Sequence, residues 1–430
     1  MNRQIQSVRG MSDVLPDDSD LWDAFEEIVR SWLRSYGYQQ IRLPIVEPTS
    51  LFTRAIGAMT DIVEKEMYSF EDNLNGEQLT LRPEGTAGCA RAVLQHNLAV
   101  QQPRRLYYMG PMFRHERPQK GRYRQFNQIG VETFGFVGPD IDAEQIIMSA
   151  HLWNLLELDG IRLRINSLGQ PHERAKYREE LIAHFEKHAA LLDEDACRRL
   201  RSNPLRLLDS KNPAMREVID DAPKLMAHLG PESMAHFEGV RQILEDVGVP
   251  YEIDPHLVRG LDYYNLTVFE WISDNLGAQG AVCAGGRYDG LVEQLGGKPK
   301  PACGFAMGVE RLLTLIREFV GVPVSDGPDV YLVHQGDAAA RFAPRVAEQL
   351  RNRGLDVLFH CGGGNFKSQM RKADASGANF AVIIGDDEAE AGEVSLKALY
   401  VEGGRDGQRR LSVDLAADEI MNSYLDGDDE

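Results

Sequence analysis

The stretch GPMFRHERPQKGRYRQFNQIGVETFG, residues 110–135, combines two β-type segments with a strongly basic turn. Five Lys or Arg residues occupy the eleven positions 114–124, where Glu116 is the sole acidic residue. The aromatic and β-branched residues on either side are typical of antiparallel strands joined by such a turn. The stretch therefore predicts a β-rich domain in which a cationic loop connects two strands.

The rest of the chain is acidic, so this basic turn has to act locally. The 430 residues include 47 Lys and Arg against 66 Asp and Glu, a formal net charge of −19. Such a charge opposes non-specific binding to nucleic acid, and we expect no DNA partner. Because charges beyond roughly 8–10 Å are screened at physiological salt, a local anion site is compatible with this net charge.

The composition predicts a globular cytoplasmic protein of several domains. Hydrophobic residues make up 43% of the chain and charged residues 26%, which is enough for a sizeable core. No run approaches the roughly 18 apolar residues of a membrane span, and residues 1–13 lack the apolar stretch of a signal peptide. The five cysteines form no C-x-x-C pair, so we expect neither a disulfide framework nor zinc.

If residues 126–134 form a strand, successive side chains alternate between two faces. One face has the apolar Ile129 and Val131 and suits a core. The other carries, in order, Phe126, Gln128, Gly130, Glu132 and Phe134. This second face suits a ligand floor or, alternatively, a solvated surface. The bare glycine favours the floor, since glycine weakens a strand without adding packing.

The segment TLRPEGTAG, residues 80–88, places Arg82, Glu84 and Thr86 around a Pro–Gly turn. A helix is predicted directly after it, over residues 85–94. These polar residues suit a binding site, and the alternative is a helix cap with the Glu84 carboxylate near the helix N-terminus.

Two further arginines lie in apolar sequence. Arg259 belongs to LVRGLDYY, residues 257–264, and Arg311 to CGFAMGVERLL, residues 303–313. An arginine in an apolar context is unfavourable unless it is paired with an anion. Alternatively, Arg311 forms a structural ion pair with Glu310 or Glu293. Together with Arg114, these arginines favour a triphosphate ligand, because guanidinium groups bind phosphate with two parallel hydrogen bonds.

Familiar nucleotide and metal motifs are missing from the sequence. It contains no G-x-x-x-x-G-K-[ST], no G-x-G-x-x-G that opens a helix, and no H-E-x-x-H. A bound nucleotide would therefore be held by arginines and strands.

The sequence divides into regions of different character. Apolar residues recur at three- and four-residue spacing over 16–37, which predicts a helix, and 38–48 predicts an edge strand containing two prolines. Residues 170–230 are charged and helical and interrupt the β-rich part, so we interpret them as an insertion. Residues 330–384 alternate β and α patterns, which predicts a separate α/β domain with a parallel sheet.

In these segments the chain closely resembles the histidyl-tRNA synthetase family of class II aminoacyl-tRNA synthetases, over essentially its whole length. IRLPIVEP (41–48), GPMFRHERPQKGRYRQFNQIGVE (110–132) and CGFAMGVERLL (303–313) resemble the three class II motifs. LVRGLDYY (257–264) and AGGRYDGL (284–291) resemble the signatures specific to histidyl enzymes.

The resemblance implies an α+β catalytic domain with a six-stranded antiparallel sheet flanked by helices, a helical insertion and a C-terminal α/β anticodon-binding domain. The expected boundaries are 1–169 and 231–320 for the two catalytic parts, 170–230 for the insertion and 327–430 for the C-terminal domain. The implied reaction activates L-histidine with ATP to histidyl-adenylate and pyrophosphate, then transfers histidine to the 3′-terminal adenosine of histidine tRNA. Mg²⁺ and a homodimer formed through the first motif are implied as well.

The resemblance also implies roles for single residues. Arg114 holds the α-phosphate, Arg311 the γ-phosphate, Phe126 stacks on adenine, and Arg259 stabilises charge at the α-phosphate. Arg122 joins the ATP site, and together with Gln119 it contacts the tRNA acceptor end. Histidine is bound by Glu84, Thr86, Gln128, Glu132, Arg259, Tyr263 and Tyr264.

Two positions depart from the family pattern, and one alternative function is open. Asn127 stands where a histidine is expected and faces away from the floor by strand parity, whereas Leu266 replaces an expected arginine near Tyr264. The alternative is a histidine-sensing regulatory subunit of ATP-phosphoribosyltransferase. Such chains generally lack the anticodon-binding domain, so the α/β pattern after residue 330 favours the ligase.

Overall fold

The computed structural model describes residues 4–57, 60–118, 121–210, 212–321, 327–399 and 407–425. The chain forms two compact units, a first unit of Met1–Pro323 and a second unit of Val324–Glu430. Within the described residues, no helix has the length and apolar character needed to cross a membrane.

The first unit combines strands with helices on both faces of a central sheet. Its strands are β1 (Gln39–Gln40), β2 (Val46–Pro48), β3 (Tyr68–Glu71), β4 (Gln78–Leu81), β5 (Arg104–Phe113), β6 (Gln125–Phe134), β7 (Ile161–Ser167), β8 (Glu252–Ile253), β9 (Asn265–Ser273), β10 (Ala281–Arg287) and β11 (Ala302–Gly308). Its helices are α1 (Pro16–Ser35), α2 (Thr49–Ile56), α3 (Thr86–Gln95), α4 (Pro139–Leu155), α5 (Pro171–Lys187), α6 (Glu194–Ser202), α7 (Arg216–Asp220), α8 (Pro231–Val247), α9 (Leu291–Gln294) and α10 (Val309–Phe319).

The central sheet is mixed and has eight strands, in the order β1-β5-β6-β11-β10-β9-β7-β8. From β5 to β7 in this order neighbours are antiparallel, whereas β1 pairs with β5 and β8 with β7 in parallel. The expected sheet of six antiparallel strands therefore has to be extended: six antiparallel strands are present, and one parallel strand is added at each edge. Each added edge strand is two residues long, too short to show a period in the sequence.

The prediction of one strand over residues 38–48 is wrong. The segment forms β1 and β2, which belong to different sheets, since β2 pairs with β4 in a three-stranded sheet that also contains β3. Pro44 lies between them, and proline has no N–H to donate to a strand ladder. Ile45, Val46 and Phe70, in or beside this small sheet, expose 43%, 39% and 46% of their surface.

The two faces of the central sheet belong to separate cores. Ile129 and Val131 of β6 are buried with apolar residues of α1, α4, α8 and α10. Phe134 and the half-buried Phe126 pack into the other core, which includes residues of α3 and α5. The predicted alternation along residues 126–134 is confirmed, as is the predicted helix over 16–37, which appears as α1.

The chain between β7 and α8 is helical. It contains α5, α6 and α7 and four 3-10 turns at residues 189–191, 204–207, 213–215 and 225–228. Tyr177, Leu181 and Phe185 of α5 are buried in the same core as Phe134. This helical segment therefore packs on the side of the sheet to which Phe134 points.

The second unit is an α/β structure. Its elements are β12 (Val330–His334), α11 (Asp337–Asn352), β13 (Val357–Phe359), α12 (Phe366–Ala375), β14 (Phe380–Ile384), α13 (Asp386–Ala391), β15 (Glu393–Ala398), β16 (Arg409–Ser412) and α14 (Val413–Leu425). β13, β12 and β14 are parallel, as predicted for residues 330–384. Beyond that range β15 pairs with β14 and β16 pairs with β15, both antiparallel, so the complete sheet is mixed. The β14–β15 connection is too short for a parallel crossover, which needs about a dozen residues.

Candidate active site

A cavity of about 210 Å³ opens on the central sheet, lined by residues of β5, β6, β9, β10 and β11 and of the loops around them. Most of the site residues predicted from the sequence line it together: Glu84, Thr86, Arg114, Arg122, Phe126, Gln128, Arg259, Tyr263, Tyr264 and Arg311. Glu132 is fully buried one layer behind the cavity wall. Gln119 lies outside the described residues.

Three arginines face one another at the basic end of the cavity. Arg114 donates from Nε to the Pro83 carbonyl at 2.8 Å, and its guanidinium lies 5.3 Å from the centre of the Phe126 ring. Arg122 pairs with Glu116 at 2.8 Å. Burial lowers the pKa of Arg311, and the nearby charge of Arg122 lowers it further. Such mutual repulsion is relieved by an anion bound among the three guanidinium groups.

Arg311 is not held by the structural ion pair that the sequence left open. Its Nε donates to the Gly121 carbonyl at 3.0 Å, and its Nη1 donates to the Ala281 carbonyl. The neighbouring Glu310 instead accepts from the main-chain N–H and the side-chain amide of Asn127, at 2.7 and 3.0 Å. The guanidinium charge of Arg311 is therefore available to a ligand in the cavity.

Arg259 comes from the loop before β9. Its Nη1 lies 3.2 Å from a carboxylate oxygen of Glu270, and the guanidinium is 5.8 Å from the centre of the Tyr264 ring. Its Nε is buried without a hydrogen-bond partner among the described residues. A buried N–H of a charged group without a partner is unfavourable and marks a place where a ligand acceptor would bind.

Glu84 caps a helix and also faces the cavity, so the two interpretations of the sequence are compatible. Its carboxylate accepts from the backbone N–H groups of Thr86 and Ala87, at 2.7 and 3.0 Å, and so caps α3. It also lines the cavity. Burial raises the pKa of Glu84, against the opposing effect of these two N–H donors and of Arg114. A carboxylate in this position can meet a cationic group of a ligand.

Gln128 offers a matching acceptor from the floor of the cavity. Its Oε1 is buried with no hydrogen-bond partner in the part of the chain that is described. Tyr263 and Tyr264 are buried beside it in the same cavity, with ring centres 4.7 Å apart. The floor therefore combines an unpaired amide oxygen with aromatic walls.

Glu132 is held by three hydroxyl groups behind this floor. Oε1 accepts from Thr86 at 2.7 Å and from Tyr108 at 3.0 Å, and Oε2 accepts from Tyr288. Burial raises the pKa of Glu132 to about 8, although these three hydrogen bonds favour the ionised form. The carboxyl group can therefore hold a proton near neutral pH.

Tyr108 and Tyr288, which complete this network, were not among the site residues predicted from the sequence. Gly85 and Gly130 enclose the Tyr108 ring, and a Cβ at either position would overlap it. The glycine on the ligand face of β6 therefore makes room for a tyrosine of β5. Tyr288 lies within the AGGRYDGL signature, and this position in a family signature could have identified it as a site residue.

Arg287, in the same signature, has a structural role. It is fully buried, and its Nη2 and Nε donate to the two carboxylate oxygens of Asp142 at 2.6 and 3.1 Å. Further bonds reach the carbonyls of Phe136 and Gly138. This ion pair joins β10 to the start of α4 and lies outside the cavity.

The two departures from the family pattern also lie outside the cavity lining. Asn127 binds Glu310, on the side of β6 away from Gln128, as strand parity predicts. Leu266 is buried and has a φ of 48°, an uncommon conformation for a branched residue.

The described residues contain no group of three or more His, Cys, Asp or Glu side chains placed to hold a metal ion. Four carboxylates line the cavity. Glu116 and Glu270 each pair with an arginine, whereas Glu84 caps α3 and Glu310 accepts from Asn127. Any Mg²⁺ bound here would therefore take much of its coordination from ligand phosphates and water, as this ion commonly does.

Comparison with known proteins agrees with this geometry. The family model of histidyl-tRNA synthetase matches residues 10–312, and the model of an anticodon binding domain matches residues 318–422. A histidine–tRNA ligase of Dechloromonas aromatica is 68% identical over 430 residues, which is 100% of both chains.

Among solved structures, the apo histidyl-tRNA synthetase of S. aureus is 36% identical with a TM-score of 0.80, over 97% of this chain and 100% of that one. A Bacillus halodurans protein described as an ATP phosphoribosyltransferase regulatory subunit/histidyl-tRNA synthetase shares the fold at 21% identity, with a TM-score of 0.63 over 90% of this chain and 99% of its own. The match of both family models and the high identity over the full length confirm the resemblance: the chain belongs to the histidyl-tRNA synthetase family of class II aminoacyl-tRNA synthetases.

Proposed function

We propose that the protein is a histidine–tRNA ligase, which activates L-histidine with ATP and transfers it to histidine tRNA. The observation that carries the proposal is the cavity itself. Four arginines from three separate sequence segments meet there beside a carboxylate and an unpaired amide, Glu84 and Gln128. This arrangement suits a triphosphate and an amino acid side by side. The 68% identical relative over the full length supports the same activity.

Activation requires that the histidine carboxylate attack the α-phosphorus and that pyrophosphate leave. Negative charge develops on the α-phosphoryl oxygens, and fixed cations in a water-poor cavity lower that barrier. We assign Arg114 and Arg259 to the α-phosphate, Arg122 and Arg311 to the other phosphates, and Phe126 to the adenine ring. The unpaired Nε of Arg259 supports its assignment, since a phosphoryl oxygen would supply the missing acceptor.

We assign histidine recognition to the opposite end of the cavity. Glu84, Thr86 and Gln128 bind the α-ammonium, and Arg259 and Tyr263 enclose the substrate. Tyr264 addresses one ring nitrogen. Glu132, which lies behind the cavity wall, addresses the other through the hydroxyl groups of Thr86 and Tyr108, which line the cavity. A site that hydrogen-bonds both nitrogens discriminates strongly, because another amino acid would leave buried polar groups unpaired.

Mg²⁺ is proposed as the ion that accompanies ATP. When bound, it would neutralise phosphate charge and help pyrophosphate to leave. Glu116 and Glu270 are two of the carboxylates of the cavity wall, and they could hold the ion directly or through water.

Transfer to tRNA involves the remaining parts of the chain. We propose that the basic loop contacts the acceptor end through Arg122 and Gln119, and that the helical insertion, residues 170–230, contacts the acceptor stem. Residues 327–430 are assigned to the anticodon, which the match of residues 318–422 to an anticodon binding domain supports. The catalytic parts are then 1–169 and 231–320, and cytoplasmic location follows from the substrates.

A homodimer through the first class II motif is also proposed. The small sheet of β2, β3 and β4 exposes apolar side chains at Ile45, Val46 and Phe70, which such an interface would cover. The regulatory-subunit alternative is less supported, because the anticodon binding domain matches and the arginines of the cavity are all present.

The test is ATP–pyrophosphate exchange with each of the twenty amino acids in turn. We expect exchange with histidine alone. Tight histidine binding without exchange would favour the regulatory subunit, and exchange with several amino acids would contradict the assigned specificity residues.

A further inference from the structure

The entry of the helical segment runs beside the loop that carries Tyr264. Two main-chain hydrogen bonds join them, from Leu168 to the Leu266 carbonyl at 2.7 Å and from Leu266 to the Gly169 carbonyl at 3.0 Å. The side chain of Arg174, in the first turns of α5, adds a third bond. Its Nη1 donates to the main-chain carbonyl of Tyr264 at 2.6 Å. This contact joins residues that are 90 positions apart.

The neighbouring Glu173 fixes the first turn of α5, from which Arg174 extends. Its carboxylate accepts from the N–H groups of Gln170 and Gly230, both at 2.6 Å, and from the Ser233 hydroxyl at 2.7 Å. These partners lie where the chain enters and leaves the helical segment. The first turn of α5 is therefore anchored at both chain crossings, and Arg174 extends from a rigid support.

The surroundings of Arg174 make its bond to Tyr264 hard to replace. The side chain lines a cavity of about 80 Å³ together with Arg259, Asp262 and Tyr264. Burial lowers the pKa of Arg174, while the charge of Asp262 acts in the opposite direction. A charged donor in so small a space contributes more than a neutral hydrogen bond at the surface.

The chain around Tyr264, which continues into the first residues of β9, contains backbone strain. Leu266, two residues after Tyr264, has a φ of 48°, a conformation that is disfavoured for a residue with a branched side chain. Such a conformation persists only where the surroundings impose it. Removal of one of the bonds that hold this loop would let Tyr264 shift, and a shift of about 1 Å is enough to weaken a positioned contact.

We propose that Arg174 is a positioning residue for histidine recognition, which acts by holding the main chain of Tyr264. The inference rests on the proposed function, in which the Tyr264 hydroxyl meets a ring nitrogen of the substrate. It also means that the helical segment contributes to the amino-acid site through a direct hydrogen bond.

The experiment measures pyrophosphate exchange of the full-length Arg174→Met variant, which keeps the length of the side chain and removes the donor. We expect the KM for histidine to rise roughly tenfold, with kcat and the KM for ATP changed less than threefold. Arg178→Met is the matched control. Arg178 lies one turn further along α5 and donates to the Ser202 carbonyl at 2.9 Å, within the helical segment. Its KM for histidine should equal that of the wild type.

A double-mutant cycle with Tyr264→Phe tests the route of the effect. If Arg174 acts through the Tyr264 hydroxyl, Arg174→Met changes the KM for histidine less than twofold in the Tyr264→Phe background. The same tenfold rise in both backgrounds would overturn the proposal. So would a loss of kcat at unchanged KM, which indicates a smaller folded fraction.

Arg174→Lys keeps a charged donor and covers the case in which the Met variant does not fold. Where Arg174→Met folds, we expect the KM of Arg174→Lys for histidine to lie between the values of the wild type and of Arg174→Met. Where Arg174→Met does not fold, we expect the KM of Arg174→Lys to exceed the wild-type value. A wild-type KM in Arg174→Lys together with an unaffected Met variant would overturn the proposal. Absence of histidine-dependent exchange in the wild-type protein would instead reject the proposed function, and this inference with it.

Discussion

Arg259 is the side chain to which the proposed reaction assigns the charge that develops on the α-phosphate. Its Nη1 is neutralised by Glu270, yet its Nε remains buried and unpaired among the described residues. The group is therefore held in place before any ligand binds, and one strong donor is left free. A developing phosphoryl charge gains more from such a donor than the ground state does.

Arg259→His should slow histidine-dependent pyrophosphate exchange by a factor of about 100 or more, while the affinity for histidine stays within a few-fold of the wild type. Rapid-quench measurement of adenylate formation and equilibrium binding of histidine separate the two effects. Arg162→His is the control, since Arg162 carries an ion pair on the exposed surface. Unchanged exchange in Arg259→His would refute the role assigned to Arg259.

Glu132 should make the stability of the protein depend on pH, and its surroundings give the direction of that dependence. Burial raises the pKa of Glu132 in the folded protein to about 8, against an ordinary value of 4.5. Between these values the folded state holds a proton that the unfolded state has lost, so this group's contribution to stability declines as the pH rises. Glu132→Gln should therefore gain stability relative to the wild type from pH 5.5 to 7.5. Denaturant unfolding at both pH values measures the free energy of unfolding of the two proteins. Equal changes of this free energy between the two pH values in both proteins would contradict the prediction.

At the scale of elements, β5 and β6 form the floor of the cavity together, because a large side chain of β5 lies over a glycine of β6. Tyr108 of β5 occupies the space that a side chain at Gly130 of β6 would need, and from there it reaches Glu132. The antiparallel register places Tyr108 opposite Gly130, so the tyrosine and the glycine depend on each other. The floor is thus a property of the strand pair.

Gly130→Ala should destabilise the protein by roughly 1–3 kcal/mol and raise the KM for histidine, because the added methyl overlaps the Tyr108 ring in a closely packed core. Thermal unfolding and pyrophosphate exchange measure the two effects. Gly290→Ala is the matched control: Gly290 has a helical φ of −78°, and nothing lies within 4 Å of a Cβ built there. Equal behaviour of the two variants would show that the Tyr108 contact is unimportant.

At the scale of the whole molecule, the apolar side chains that the small sheet exposes lead us to expect a homodimer. Light scattering at micromolar concentration should give a mass of twice 48.2 kDa. Val46→Asp should shift this mass toward the monomer, since it places an unpaired charge in the proposed interface. Val247→Asp, at an exposed position of α8, should leave it unchanged. A monomeric wild-type protein would remove the basis for the proposed dimer.

The sequence by itself determined the features whose signal is local. The apolar spacing over residues 16–37 predicted α1, and the alternation over residues 126–134 predicted which side chains of β6 face the cavity. Arg259 and Arg311 were found because an arginine in apolar sequence is unfavourable unless it is paired with an anion. Arg114 was found at the entry to the basic turn, and Arg122 through the family resemblance. The three class II motifs and the histidyl signatures identified the family on the same local evidence.

Only the tertiary structure decided the features that depend on contacts between distant positions. Arg287 and Arg259 look alike in sequence, but a carboxylate of α4 makes the first a buried structural pair, whereas the second faces the cavity. The hydroxyl network around Glu132 and the bond from Arg174 to Tyr264 join strands and helices far apart in the chain. The parallel edge strands and the antiparallel half of the second sheet likewise follow from chain connections. Such contacts leave no periodic pattern, because their partners are brought together only when the sheet and the helical segment have folded.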